Sequence, residues 1–122
     1  MIGQDDLLEL PMPASLPHAV QRTLETPHGP AIGASYRWPG GQYCAIHTAR
    51  GMVGCGLFDV HVASEFGMAV AIARGTPANP LAEPEDLYQA RIVEVSEPAR
   101  QLGISPGMTG SEALEKLLRA DT

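Results

Sequence analysis

At 122 residues the chain suits one domain with one core, because folding at this length buries roughly two-thirds of the surface an unfolded chain exposes. Asp and Glu number 14 against 8 Lys and Arg, and the resulting formal charge of −6 repels phosphate backbones and anionic lipid, which argues against nucleic-acid and membrane partners. With 13 glycines and 11 prolines, the composition favours short elements joined by many turns over long helices.

Residues 1–20, "MIGQDDLLELPMPASLPHAV", hold no sustained period after Leu10 and read as an N-terminal arm. That arm is either loosely ordered or packs Leu7, Leu8 and Leu10 on a neighbouring subunit. Residues 21–122 form the expected α+β domain. "RTLET" alternates and ends in the turn-forming "PHGP"; "AIGASYRW" runs to "PGG", and "QYCAIHTA" returns from it, so an antiparallel meander is expected. A turn at Arg50 and Gly51 then leads into the short strand "MVGCG". On "QYCAIHTA", Cys44, Ile46 and Thr48 share one face and Tyr43, Ala45 and His47 the other. Both faces are partly apolar, so each is expected to be covered.

"LFDVHVASEFG" sets Leu57, Val60, His61 and Ser64 on one helical stripe, starts near Leu57 or Phe58 and stops at Gly67. The apolar run "MAVAIA" is a buried central strand by composition, joined to "MVGCG" by a helical crossover. Three prolines in "GTPANPLAEP" exclude regular structure there, leaving a surface loop or the wall of a site. "PEDLYQ" suits one helical turn, and "ARIVEVS" an alternating strand with Ile92 and Val93 near its centre. Ser96 is placed to cap a helix that Gly103 ends, with Ile104 just beyond. Thr109 and Glu112 have the spacing of a capping box, opening a helix with Leu114, Leu117 and Leu118 on one stripe. The fold class expected is therefore a single α+β domain: an N-terminal antiparallel meander, a strand-helix-strand unit and C-terminal helices.

No apolar run reaches the about 20 residues of a membrane-spanning helix, and the first 21 residues contain no Lys or Arg for a signal-peptide n-region. A cytoplasmic protein with Cys44 and Cys55 as reduced thiols is expected. His18, His28, His47 and His61 are dispersed, and the two cysteines are far apart in sequence, so no metal site and no cofactor are expected. The glycine-rich stretches lack both the P-loop Lys and the dinucleotide fingerprint. Residues 107–111 lead into a helix N-terminus, whose amides either hold an anion or are already served by Thr109, the reading favoured.

The candidate catalytic residues are Cys55 and Asp59, with Gly54, Gly56 and Arg74 as candidate ligand-binding residues. A thiol just ahead of a helix start has a lowered pKa; the flanking glycines admit a close approach, and His47 or His61 is a candidate base. An arginine beside a thiolate suits a small anionic ligand. The alternative reading of Cys55 is a small buried hydrophobe where strand meets helix.

With these residues in view, the chain resembles the YunC-like family of small bacterial and archaeal domains of unknown function over roughly residues 22–118. The resemblance rests on Gly51, Cys55, Gly56, Phe58 and Asp59, on "VAIAR" ending at Arg74, and on Leu102, Gly103, Ile104, Gly107, Met108, Gly110, Glu112, Ala113 and Leu114. It implies an α+β domain whose N-terminal β region mediates tetramer formation, and it carries no catalytic residues or cofactor. The acidic first 20 residues and the longer "GTPANPLAEP" loop depart from the family pattern. Two function classes follow: a homo-oligomer, tetrameric by resemblance, built by pairing residues 21–49 with their copies, and a small-molecule-binding protein or thiol-dependent enzyme using Cys55.

Overall fold

The computed structural model describes residues 16–119. The expectations for Leu7, Leu8 and Leu10 lie outside the described residues. Six strands form one sheet in the order in which they occur along the chain: β1 (His18–Thr26), β2 (Gly29–Trp38), β3 (Gly41–His47), β4 (Gly51–Gly54), β5 (Ala69–Arg74) and β6 (Arg91–Val95). The first four pair antiparallel as a meander, β4 and β5 pair in parallel, and β6 closes antiparallel on β5. Helix α1 (Val60–Glu65) makes the β4–β5 crossover, and a 3-10 turn (Pro84–Leu87) precedes β6. Helices α2 (Glu97–Gln101) and α3 (Gly110–Arg119) follow it. The chain is thus the α+β domain its patterns indicate.

Strand β1 begins at His18, four residues before the alternating "RTLET" that signals it, because Ala19 and Val20 pair with Tyr36 and Ser35 across the hairpin. The Pro39-Gly40 turn supplies the β2–β3 connection, with Gly40 at φ 98°. Thr48 shapes the next turn: its amide and its hydroxyl both donate to the Gly51 carbonyl at 2.8 Å.

One face of the sheet carries the main core. Cys44, Ile46, Val53, Cys55, Ala71 and Ile92 pack there against Leu87, Ile104 and the Ala113, Leu114 and Leu117 stripe of α3. On the opposite face Val70 and Ile72 meet Val60 and Ala63 of α1. Strand β5 is therefore covered on both sides, which explains its unbroken apolar run. Among the described residues no helix packs over the second face at the β1–β3 end.

Local signals explain the helices. Thr109 and Glu112 form the expected box: the Glu112 amide donates to Thr109 Oγ1 at 3.2 Å and the Thr109 amide to Glu112 Oε1 at 3.1 Å. Those hydrogen bonds hold the Glu112 carboxyl below the usual carboxylate range. Gly67 and Gly103 end α1 and α2 at φ 71° and 94°, and Ile104 returns its amide to the Ala99 carbonyl. The α1 stripe differs from expectation. Asp59 accepts from the His61 and Val62 amides and so starts the helix after Phe58; Leu57 lies outside it and is exposed. The inward positions are then Val60 and Ala63, and His61 faces solvent.

Ser96 joins three elements. Its hydroxyl accepts from the Ala99 amide as the α2 cap and from the Val70 amide at 2.9 Å, and donates to the Met68 carbonyl at 2.7 Å. Ser64 adds a link between α1 and α2 by accepting from the Glu97 amide at 3.0 Å.

Candidate functional site

Continuing the β3–β4 register past Ala45 and Gly54 sets Cys44 opposite Cys55, where the Cys55 amide donates to the Cys44 carbonyl at 3.2 Å. Both thiols are free, and both point into the main core. They differ in access. Cys44 is fully enclosed, whereas Cys55, 7% exposed, forms part of the wall of an open cleft of about 520 Å³.

The rest of that wall comes from Gln42 on β3, Gly56 and Leu57 beyond β4, and Gly75, Thr76, Pro77, Pro80 and Leu81 of the proline-rich loop. The loop is held in place. Thr76 and Asn79 exchange backbone hydrogen bonds at 3.1 and 3.0 Å, and Gln42 Nε2 donates to the Leu81 carbonyl at 3.1 Å. Further along, Arg37 pairs with Glu83 and Arg22 with Glu85. The Arg22 hydrogen bond holds the Glu85 carboxyl below the usual carboxylate range, so this strap persists until acid protonates it. Residues 76–80 of "GTPANPLAEP" are exposed, so it is a surface loop, and part of it borders the cleft.

The two thiols are neighbours in the core, and hydrogen bonding with Cys44 is the main reason the Cys55 thiol falls well below the ordinary value; amides of Leu57, Cys44 and Cys55 add to it, and together they outweigh the opposing effect of burial. The same bond, then burial, then the negative charge on Cys55 push the Cys44 thiol far up. The two titrations are coupled, with Cys55 the more acidic member of the pair. The expected cause, a helix starting directly after Cys55, is replaced: α1 begins only at Val60.

The other candidates fall as follows. Gly56 lines the cleft beside Cys55. Gly54 lies under an aromatic ring, since a Cβ there would stand 2.5 Å from Phe58 Cδ2. Asp59 spends its carboxylate on the α1 cap. Arg74 is exposed at the end of β5, one residue before the lining residue Gly75, and is not part of the wall. His47 and His61 are exposed and do not line the cleft. Cys44 and Gln42 are contributors that sequence patterns leave unmarked. Among the described residues no group of three His, Cys, Asp or Glu side chains is placed to hold a metal ion, and no helix is long and apolar enough to cross a membrane.

A mixed sheet with a sequential strand order, an α/β crossover and a glycine-flanked thiol at the end of β4 define a small α+β domain class without assigned chemistry. The model of the family described as a domain of unknown function, DUF1805, matches residues 54–117, and the chain belongs to that family. The match begins at the β4 end and takes in Cys55, both C-terminal helices and β6. Among solved structures, the chain is similar to the crystal structure of a protein of unknown function from Thermoplasma acidophilum, at 19% identity and a TM-score of 0.71, covering 83% of this chain and 94% of that one. No curated protein matches the chain.

Proposed function

We propose that this domain performs thiol chemistry on a small molecule held in the cleft, with Cys55 as the nucleophile. What supports this reading is the pairing of access with acidity: Cys55 lines the cleft and its thiol is shifted down by its neighbour, while the enclosed Cys44 is shifted up. The wall against Cys55 is uncharged, so the reacting part of the ligand is neutral and electrophilic. An anionic end, if the ligand has one, is assigned to Arg74 beside the loop. A cytoplasmic, reducing setting keeps both thiols available for this role.

The test is alkylation of the native protein across pH with iodoacetamide. Cys55 is expected to label rapidly near about pH 6.5, where an ordinary thiol of pKa about 8.5 is almost inert. Cys44→Ser, which keeps a donor, should retain that midpoint, and Cys44→Ala, which removes it, should raise it toward the ordinary thiol value. Labelling of Cys55 only after unfolding would return it to a packing role.

A second observation supports self-association. On the second face of β1–β3, over which no helix of the described residues packs, Tyr36 and Trp38 are each 40% exposed, Tyr36 stacks on Tyr43 at 5.0 Å, and Ile32 and Ala34 beside them are half-buried. Val62 and Phe66, one turn apart on the outer side of α1, are 46% and 73% exposed. We infer that copies of the chain cover these surfaces as a homo-oligomer, a tetramer on the family resemblance, through the N-terminal β region. Sedimentation at micromolar concentration is expected to show the assembly, and Trp38→Glu to weaken it by about tenfold or more, the effect of withdrawing roughly 1.4 kcal/mol of contact. A folded wild-type monomer under those conditions would remove the assembly reading and leave the thiol reading intact.

A further inference from the structure

We propose that Cys44 is the resolving thiol of a two-cysteine site, and that the substrate class of the cleft is a small neutral disulfide, reduced to two thiols as Cys44 and Cys55 join. The inference rests on Cys55 being the nucleophile of the cleft, and it names what Cys44 adds.

Three features of position carry it. Cys55, one residue past the end of β4, lies opposite Cys44 when the antiparallel register is extended, and its amide is bonded to the Cys44 carbonyl. Residues directly opposite in an antiparallel pair have Cα atoms about 4.5–5.5 Å apart, inside the span of about 4.4–6.8 Å that a disulfide bridges. Both side chains lie on the core side of the sheet, in the same cluster. Access is also divided as such chemistry needs: Cys55 meets the cleft, and Cys44, at 0% exposure, can reach only a sulfur that Cys55 has captured. The cleft wall of glycine, proline, leucine, threonine and glutamine carries no charge, which suits an uncharged disulfide.

The steps balance. The Cys55 thiolate attacks one sulfur of the substrate, a Cys55–substrate disulfide forms, the substrate S–S bond breaks, and the departing thiolate takes the proton held by Cys44. The Cys44 thiolate then attacks Cys55 Sγ; the Cys44–Cys55 bond forms and the second substrate thiolate leaves, protonated by solvent. The protein loses two electrons and the proton of Cys44, solvent supplies the second proton, and the disulfide gains two of each. An external dithiol returns the protein to its starting state by the reverse path.

The probe is 2-hydroxyethyl disulfide, added to the reduced full chain near neutral pH and followed by intact-protein mass and released thiol. Wild type is expected to lose the mass of two hydrogen atoms and release two thiols per chain, with Cys44 and Cys55 joined in the peptide map. Cys44→Ser should stop at one released thiol with hydroxyethylthiol held on Cys55. Wild type that stalls at that same mixed disulfide would overturn the resolving role while leaving Cys55 as the nucleophile. Native wild type that accepts neither the disulfide nor iodoacetamide would overturn both readings.

Discussion

Ser96→Ala should lower the unfolding free energy by about 3 kcal/mol, far more than the about 1 kcal/mol that loss of an exposed helix cap costs. The difference lies in where the hydroxyl is. Ser96 is 1% exposed, and its oxygen serves the Val70 amide, the Met68 carbonyl and the Ala99 amide together. A methyl group in its place leaves two buried backbone amides, Val70 on β5 and Ala99 on α2, without this partner, each at a penalty of about 1–3 kcal/mol. Against a total stability of about 5–15 kcal/mol for a domain, that is a large fraction. Denaturant titration measures it; a loss below about 1 kcal/mol would mean that Ser96 acts as a cap alone.

Gly110→Ala is expected to be at least as damaging. A Cβ at residue 110 would stand 1.8 Å from the Leu87 carbonyl oxygen, which is backbone and cannot rotate away. The close approach is held on both sides: the Gly110 amide donates to the Ala90 carbonyl at 2.9 Å and the Ser111 amide to the Tyr88 carbonyl at 3.0 Å. Relief requires lifting the start of α3, and with it Ala113, Leu114 and Leu117, from the core. Overpacking typically costs about 1–3 kcal/mol, and a rigid backbone obstacle puts this case at or above the upper end. Gly56→Ala is the control, because a Cβ there meets nothing within 4 Å. Thermal melts of the two variants should separate widely, and equal melting temperatures would show that the α3 start shifts at no penalty.

What the amino-acid patterns disclose depends on how local the cause is. The Thr109–Glu112 box, the Ser96 cap and the doubly buried β5 were legible because each needs only residues a few positions apart or an uninterrupted run. The start of β1 was not, since its first residues belong to a strand only through their partners on β2. Leu57 was misplaced for a related reason: its spacing to Val60 and Ser64 fits a helix, but the Asp59 carboxylate decides where the helix begins. The second thiol of the site turned on a small shift. A turn placed at Arg50 and Gly51 registers Cys44 against Leu57; the actual turn, closed by the Thr48 amide on the Gly51 carbonyl, registers it against Cys55. Composition identified a glycine-flanked thiol, while the partner that changes its chemistry was fixed by the geometry of four residues. The cleft wall was legible only as an irregular loop, since its placement depends on Gln42, Arg37 and Arg22 across the sheet.

The sequential order of the six strands bears on how the sheet comes into being. No strand has to be inserted between two that are already paired, so a chain emerging from the ribosome can extend the sheet from a single growing margin. The four-stranded meander asks only for hairpin closures, and the longer connections, 55–68 and 75–90, come later in synthesis. Since Ser96 follows β6 and clasps the beginning of β5, its oxygen finds all its partners only when the last strand has arrived. Completion of the sheet is thereby registered at one interior atom.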